Sequence, residues 1–146
     1  MTMPKGMYRS TVLALAAVLA QVAWIGAQAA PTVIGTVNVP RKVMANGQPL
    51  AAGAYDVRLS SDAVTPVVGQ TPEAERWVEF VQANIVKGRE LASVLLTAAD
   101  VKAVAKTGTP PAPGATRVDV LQAGAYVRVW LNHGGKHYLI HLTAAK

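Results

Sequence analysis

The chain has no cysteine, one phenylalanine and only 8 acidic residues among 146. Without thiols there is no disulfide, no thiolate metal site and no cysteine nucleophile, so stability must come from packing and sheet hydrogen bonds. Charged residues make up only 15% of the chain, and the basic ones are scattered, with Arg41-Lys42 and Lys87-Gly88-Arg89 the densest spots. A nucleic-acid-binding domain would carry a denser basic stripe, so no nucleic-acid partner is expected. The G-x-S-x-G elbow, the Walker loop and the G-x-G-x-x-G turn are all missing, and with them any motif for a cofactor. No two acids are spaced to suggest a general acid and base. An apolar run of bilayer length is absent as well. The longest uncharged apolar stretch, residues 11–25, has about fifteen residues where a span needs about twenty.

What that stretch does have is a cationic start, Lys5 and Arg9, and a small-residue end, Ala27-Gln28-Ala29. This is the layout of a secretory signal peptide, with cleavage after Ala29. Cutting one residue later would put Pro31 against the scissile bond. Residues 1–29 are therefore read as a cleaved leader and residues 30–146 as one β-rich domain, large enough to bury a core unaided. The address is the periplasm or the cell exterior of a bacterium. Having no lipobox cysteine, the product carries no lipid anchor, and it has no membrane span after cleavage. Loss of Lys5 and Arg9 takes the 14 basic residues to 12 against 8 acids, a net charge of about +4, enough for weak attraction to anionic surfaces.

Strand signals dominate the rest. Residues 33–39 are a β-prone run ended by Pro40, which has no N–H for a ladder. Asn46-Gly47 suits the positive-φ positions of a tight hairpin turn. In residues 54–59, Tyr55, Val57 and Leu59 share one face while Asp56 and Arg58 share the other. Residues 60–72 read as a loop with a short extended piece at Val67-Val68. Residues 76–82 alternate, with Val78 and Phe80 on one side and Trp77, Glu79 and Val81 on the other. Asn84 and Gly88 mark turns or bulges before residues 91–97, an apolar run expected to be a strand buried on both faces or an inner strand of a sandwich. Thr97 and Asp100 resemble a capping box opening a short helix to Lys106. Residues 107–116, with three prolines, form a stiff loop.

The C-terminal part is the most clearly written. Residues 117–121, 125–131 and 136–142 are strands, the last two joined across Asn132-His133-Gly134-Gly135. A two-residue turn at His133-Gly134 and a four-residue loop predict the same register. Val127 then faces Ile140 and Val129 faces Tyr138 on the core side; Tyr126 faces His141, Arg128 faces Leu139 and Trp130 faces His137 on the other. A further pattern, L-x-A-G-A-Y, occurs at residues 50–55 and 121–126. It is read either as a duplication of half-domains or as chance reuse of a turn-to-strand entry.

His133, His137 and His141 would line one face of a helix as metal ligands. On a strand, at about 3.3 Å per residue, His137 and His141 lie near 13 Å apart, too far to share an ion, so no metal is expected. The candidate ligand-binding residues are Tyr126, Arg128, Trp130, His137 and His141. Aromatic plates beside a cation and imidazoles stack on sugar rings and anchor protein partners, so carbohydrate or protein is the expected ligand class. The competing reading is that the Pro-rich loop or the helix covers this face and its rings are ordinary packing. Trp77, Glu75 and Glu79 make a weaker patch, of the kind that is usually a solvated face.

Val37-Asn38-Val39-Pro40, followed after Asn46-Gly47 by Leu50-Ala51-Ala52-Gly53-Ala54-Tyr55-Asp56-Val57-Arg58-Leu59, resembles small exported bacterial proteins of unknown function that carry an L-P-A-G-T-Y hairpin entry. Ala51 and Ala54 replace the usual proline and threonine. The resemblance covers about a fifth of the chain. It implies a β-rich exterior domain and transfers no site residue. The expected fold is mainly β, a single antiparallel sandwich or partly open barrel of about six to eight strands with one short helix. The expected function is a non-catalytic exported binding or envelope-associated module. Its rivals are an exported hydrolase and a purely structural envelope component.

Overall fold

The computed structural model describes residues 31–146, so the expected leader, 1–29, lies outside the described residues. Nine strands and one helix follow one another: β1 (Val33–Val39), β2 (Val43–Ala45), β3 (Gln48–Leu50), β4 (Gly53–Leu59), β5 (Glu75–Gln82), β6 (Ile85–Leu95), α1 (Ala98–Ala105), β7 (Thr116–Leu121), β8 (Tyr126–His133) and β9 (Lys136–Ala144). All pairings are antiparallel, and the strands form a single sheet that is not closed into a barrel. Strand β9 is its hub. One edge pairs with β8 along its length; the other pairs first with β6, through residues 137–140, and then with β2, through Thr143 and Ala144.

The sheet curls until its first strand, β1, lies against β7 and β8 at its far end. Close approach there needs Gly35. A Cβ at that position would sit 2.6 Å from Leu131 Cδ2 and 3.2 Å from Thr116 Oγ1. The concave face encloses one core, to which every strand except β7 contributes a fully buried side chain. Alternation supplies most of it: Tyr55 and Val57, Val78 and Phe80, Ala92 and Val94, Val127, Val129 and Leu131, Tyr138, Ile140 and Leu142. In β1 the parity changes, because the register skips between Val33 and Gly35 and leaves Ile34 as the extra residue of a bulge. Ile34 can then point inward together with Val37 and Val39.

Two local devices match their sequence signals. Asn46 and Gly47, at φ 46° and 77°, make the two-residue turn between β2 and β3. Thr97 Oγ1 accepts from the Asp100 amide at 3.1 Å while Asp100 Oδ2 accepts from the Thr97 amide at 3.0 Å, closing the capping box of α1.

Other expectations need correction. The final hairpin turns at Gly134-Gly135, whose φ values of 60° and 84° suit a primed turn that histidine at 133 would enter only with strain. The register is displaced by two residues: Arg128 faces His141, Trp130 faces Leu139, Asn132 faces His137 and Tyr126 faces Thr143. A displacement by two keeps parity, so each side chain stays on its expected face. Residues 91–97 are not buried on both faces. Ala92 and Val94 are in the core, whereas Ser93 is exposed on the partly covered outer face of β6 and Leu96 is exposed just past the strand's end. Val67-Val68 forms no strand. The bulge marked by Gly88, by contrast, is present: β6 continues through it, with Lys87 as the extra residue opposite β5. The two L-x-A-G-A-Y copies also differ. Tyr55 is buried and donates to the Ala51 carbonyl at 2.7 Å, whereas the second copy winds through positive φ at Gln122, Ala123 and Gly124 and leaves Tyr126 exposed. Unlike backbones favour reuse of a turn sequence over duplication.

Candidate functional site

Two places on the convex, outer face of the sheet bring polar chemistry together. The first lies on β7, β8 and β9. Side chains at Tyr126, Arg128 and Trp130 alternate outward from β8, and those at His137 and His141 from β9, so the five residues singled out in the sequence share this face. They are not equally accessible. Trp130 has no exposed surface, Arg128 and His137 are partly buried, and Tyr126 and His141 are exposed.

The Trp130 indole donates to His137 Nδ1 at 2.9 Å, with the rings in edge contact. His137 must be the neutral tautomer bearing its proton on Nε2 to accept that bond, and burial lowers its pKa in the same sense. The Pro-rich segment hangs over this end. Asn132 Nδ2 donates to the Pro111 carbonyl at 2.9 Å, and Arg117 Nη1 donates to that of Thr109 at 3.2 Å, so residues 109–111 are tied to the neighbours of Trp130 on β8 and β7.

Beside the indole, Asp119 accepts from Arg117 Nε at 3.0 Å and from Arg128 Nη2 at 2.8 Å. Burial by itself would raise the Asp119 carboxyl, but the two guanidinium hydrogen bonds and their charge outweigh it and hold the group below the usual aspartate range. Burial and then the Arg128 charge lower His141, which faces Arg128 across the β8–β9 ladder. Arg128 Nε is enclosed without a partner. His133 stands at the hairpin end, and among the described residues no three His, Cys, Asp or Glu side chains converge to hold a metal ion.

The second place is a cleft of about 420 Å³ lined by Ala63, Val64, Thr65, Val67, Gln70, Glu75, Trp77 and Leu91. Its floor follows from alternation: Glu75 and Trp77 project outward from β5, and Leu91 stands opposite Trp77 on β6. Its wall is the loop of residues 60–71. Ser60 starts that loop by donating its amide to the Trp77 carbonyl at 2.9 Å and accepting the Asp62 amide on Oγ at 3.1 Å. Gln70 closes it. Its Oε1 accepts from the Val67 amide at 3.3 Å and its Nε2 donates to Glu75 Oε1 at 3.4 Å.

Arg89 ties wall to floor, reaching Asp62 at 2.7 Å while lying over the Trp77 ring. Glu79 turns away toward Arg58, at 2.6 Å, so the cleft holds one carboxylate, that of Glu75. Sequence patterning groups Trp77, Glu75 and Glu79 as a weak patch, of which Trp77 and Glu75 line the cleft. The missing wall comes from a loop without periodicity, and no signal in it announces a cleft.

Comparison with known proteins adds nothing to this geometry, since no family model, no curated protein and no solved structure matches the chain.

Proposed function

We propose that this protein is an exported, non-catalytic binding module whose ligand sits in the Trp77 cleft. The observation that carries the reading is the make-up of that cleft. An indole, a leucine and two valines surround a single carboxylate, and the lining has no second acid, histidine, serine or thiol. A pocket of this volume and polarity suits a small ligand held by apolar contact and oriented by one polar group. Hydrolysis would need an acid–base pair or an activated nucleophile within reach of the substrate. Export rests on the leader ahead of Ala30, and the absence of cysteine suits an oxidising compartment.

Ligand screening by intrinsic fluorescence tests the reading. Trp130 is enclosed, so Trp77 is the indole of the folded domain that a ligand can reach. Binding that shifts its emission, and that calorimetry shows to be lost in Trp77→Ala while the circular dichroism of the sheet is kept, supports the cleft. Binding unaffected by Trp77→Ala refutes it. Amino-terminal sequencing of the exported protein tests the address, with Ala30 expected first.

The hairpin face is the second reading, favoured by the exposed ring of Tyr126 beside Arg128 and His141. A sugar or protein ligand there would lose affinity in Tyr126→Ala and be indifferent to Trp77→Ala.

A further inference from the structure

We infer that the cleft takes a small molecule with an apolar body and one protonated amine, its ammonium on Glu75 and its body against Trp77, Val64, Val67 and Leu91. This rests on the cleft being the ligand seat and goes on to name what occupies it. Among the described residues, Glu75 has no cation within 4.0 Å and accepts only the long Gln70 hydrogen bond. The nearby cations are committed elsewhere. Arg89 is held by Asp62, Arg58 is held by Glu79, and Arg76 alternates to the opposite face, where its charge acts on Tyr138.

Glu75 is only partly buried and has no ion pair, so an incoming ammonium can add a charge-assisted hydrogen bond to it beside the apolar walls. Arg89 lies 4.4 Å over the Trp77 ring, but its charge is balanced by Asp62, which limits its repulsion of a second cation at Glu75. An anionic ligand would meet Glu75 head on. A sugar would need several free donors and acceptors, but both ends of the Gln70 amide are engaged, which leaves the Thr65 hydroxyl and Glu75. A ligand with one charged head and an apolar remainder fits what is left.

The test compares hexylamine, hexan-1-ol and hexanoate on the purified protein by calorimetry and Trp fluorescence near neutral pH, where the amine is protonated because its pKa is above about 10. Hexylamine should bind about tenfold more tightly than hexan-1-ol, the gain expected of a charge-assisted contact with Glu75. Hexanoate should bind most weakly. Glu75→Gln should bring hexylamine to within about twofold of hexan-1-ol without changing the alcohol's affinity, since the apolar walls remain. Equal binding of amine and alcohol, stronger binding of hexanoate, or a preference that survives in Glu75→Gln would overturn the amine assignment and leave the cleft standing as a seat. Binding of none of the three would overturn both.

Discussion

The guanidinium carbon of Arg89 lies 4.4 Å from the centroid of the Trp77 ring while its Nη2 reaches Asp62 Oδ2 at 2.7 Å. One side chain thus joins the sheet to the loop that walls the cleft. Its charge is balanced by Asp62, and its guanidinium lies over the indole. Lysine could supply the charge but not a flat guanidinium over the ring.

Arg89→Ala should therefore loosen the loop more than it destabilises the domain. The ion pair is largely solvent-exposed, so the loss in unfolding free energy should be about 1 kcal/mol or less. Limited proteolysis should show faster cleavage within residues 60–71, near the exposed Val67 and Val68. Arg89→Lys should behave more like alanine than like wild type. Equal cleavage rates in all three proteins would contradict this role.

Trp130→Ala should cost about 3–5 kcal/mol in urea unfolding, because it empties a fully enclosed indole site. Trp130→Phe keeps much of the volume but leaves the partly buried His137 Nδ1 without its donor, and should cost about 1–3 kcal/mol. Tyr126→Ala, on the same face but exposed, should change stability by less than about 1 kcal/mol. Similar values for Trp130→Ala and Tyr126→Ala would mean the face is uniformly open.

Gly35→Ala should destabilise by about 1–3 kcal/mol, since the added methyl meets Leu131, which is itself fully buried and has nowhere to swing. Leu131→Val in the same chain should recover part of that loss. A double-mutant cycle measures the coupling; a coupling near zero would show that β1 and β8 can move apart freely.

Stability should fall on acidification in two steps. His137 and His141 titrate lower in the folded protein than in the unfolded chain, so the unfolded state binds more protons and stability drops as pH falls below about 6.5. Asp119 is also lowered; its contribution is complete above the unfolded value of about 3.9 and is lost as pH falls through the folded value. The urea midpoint should be lower at about pH 5.5 than at about pH 7.5. A variant with both histidines changed to glutamine should show a flatter profile over that interval. A midpoint that rises on acidification would reverse the assigned sign.

Much of the strand order could be read from short-range chemistry. Asn46-Gly47 favours positive φ, Thr97 and Asp100 cap a helix, and alternation in β4, β5 and the final hairpin assigns each side chain a face. These rules act over a few residues, so they need no partner from elsewhere in the chain. The exact pairing in the last hairpin was harder. Asn132-His133-Gly134-Gly135 contains two overlapping turn signals, and parity cannot separate registers two residues apart. The candidate face suffered likewise, because alternation places Trp130 outward but is blind to the proline segment tied above it by Asn132 and Arg117.

The sequence by itself determined the secondary-structure class, the inward and outward sets on most strands and the lack of thiol chemistry, since all are local or compositional. The tertiary structure decided that the sheet curls without closing, that β1 meets β8 across Gly35, that Trp130 is sealed and that Trp77 floors a cleft. Each of those joins residues far apart in the chain, and such contacts are selected only when the whole sheet folds and shares one core.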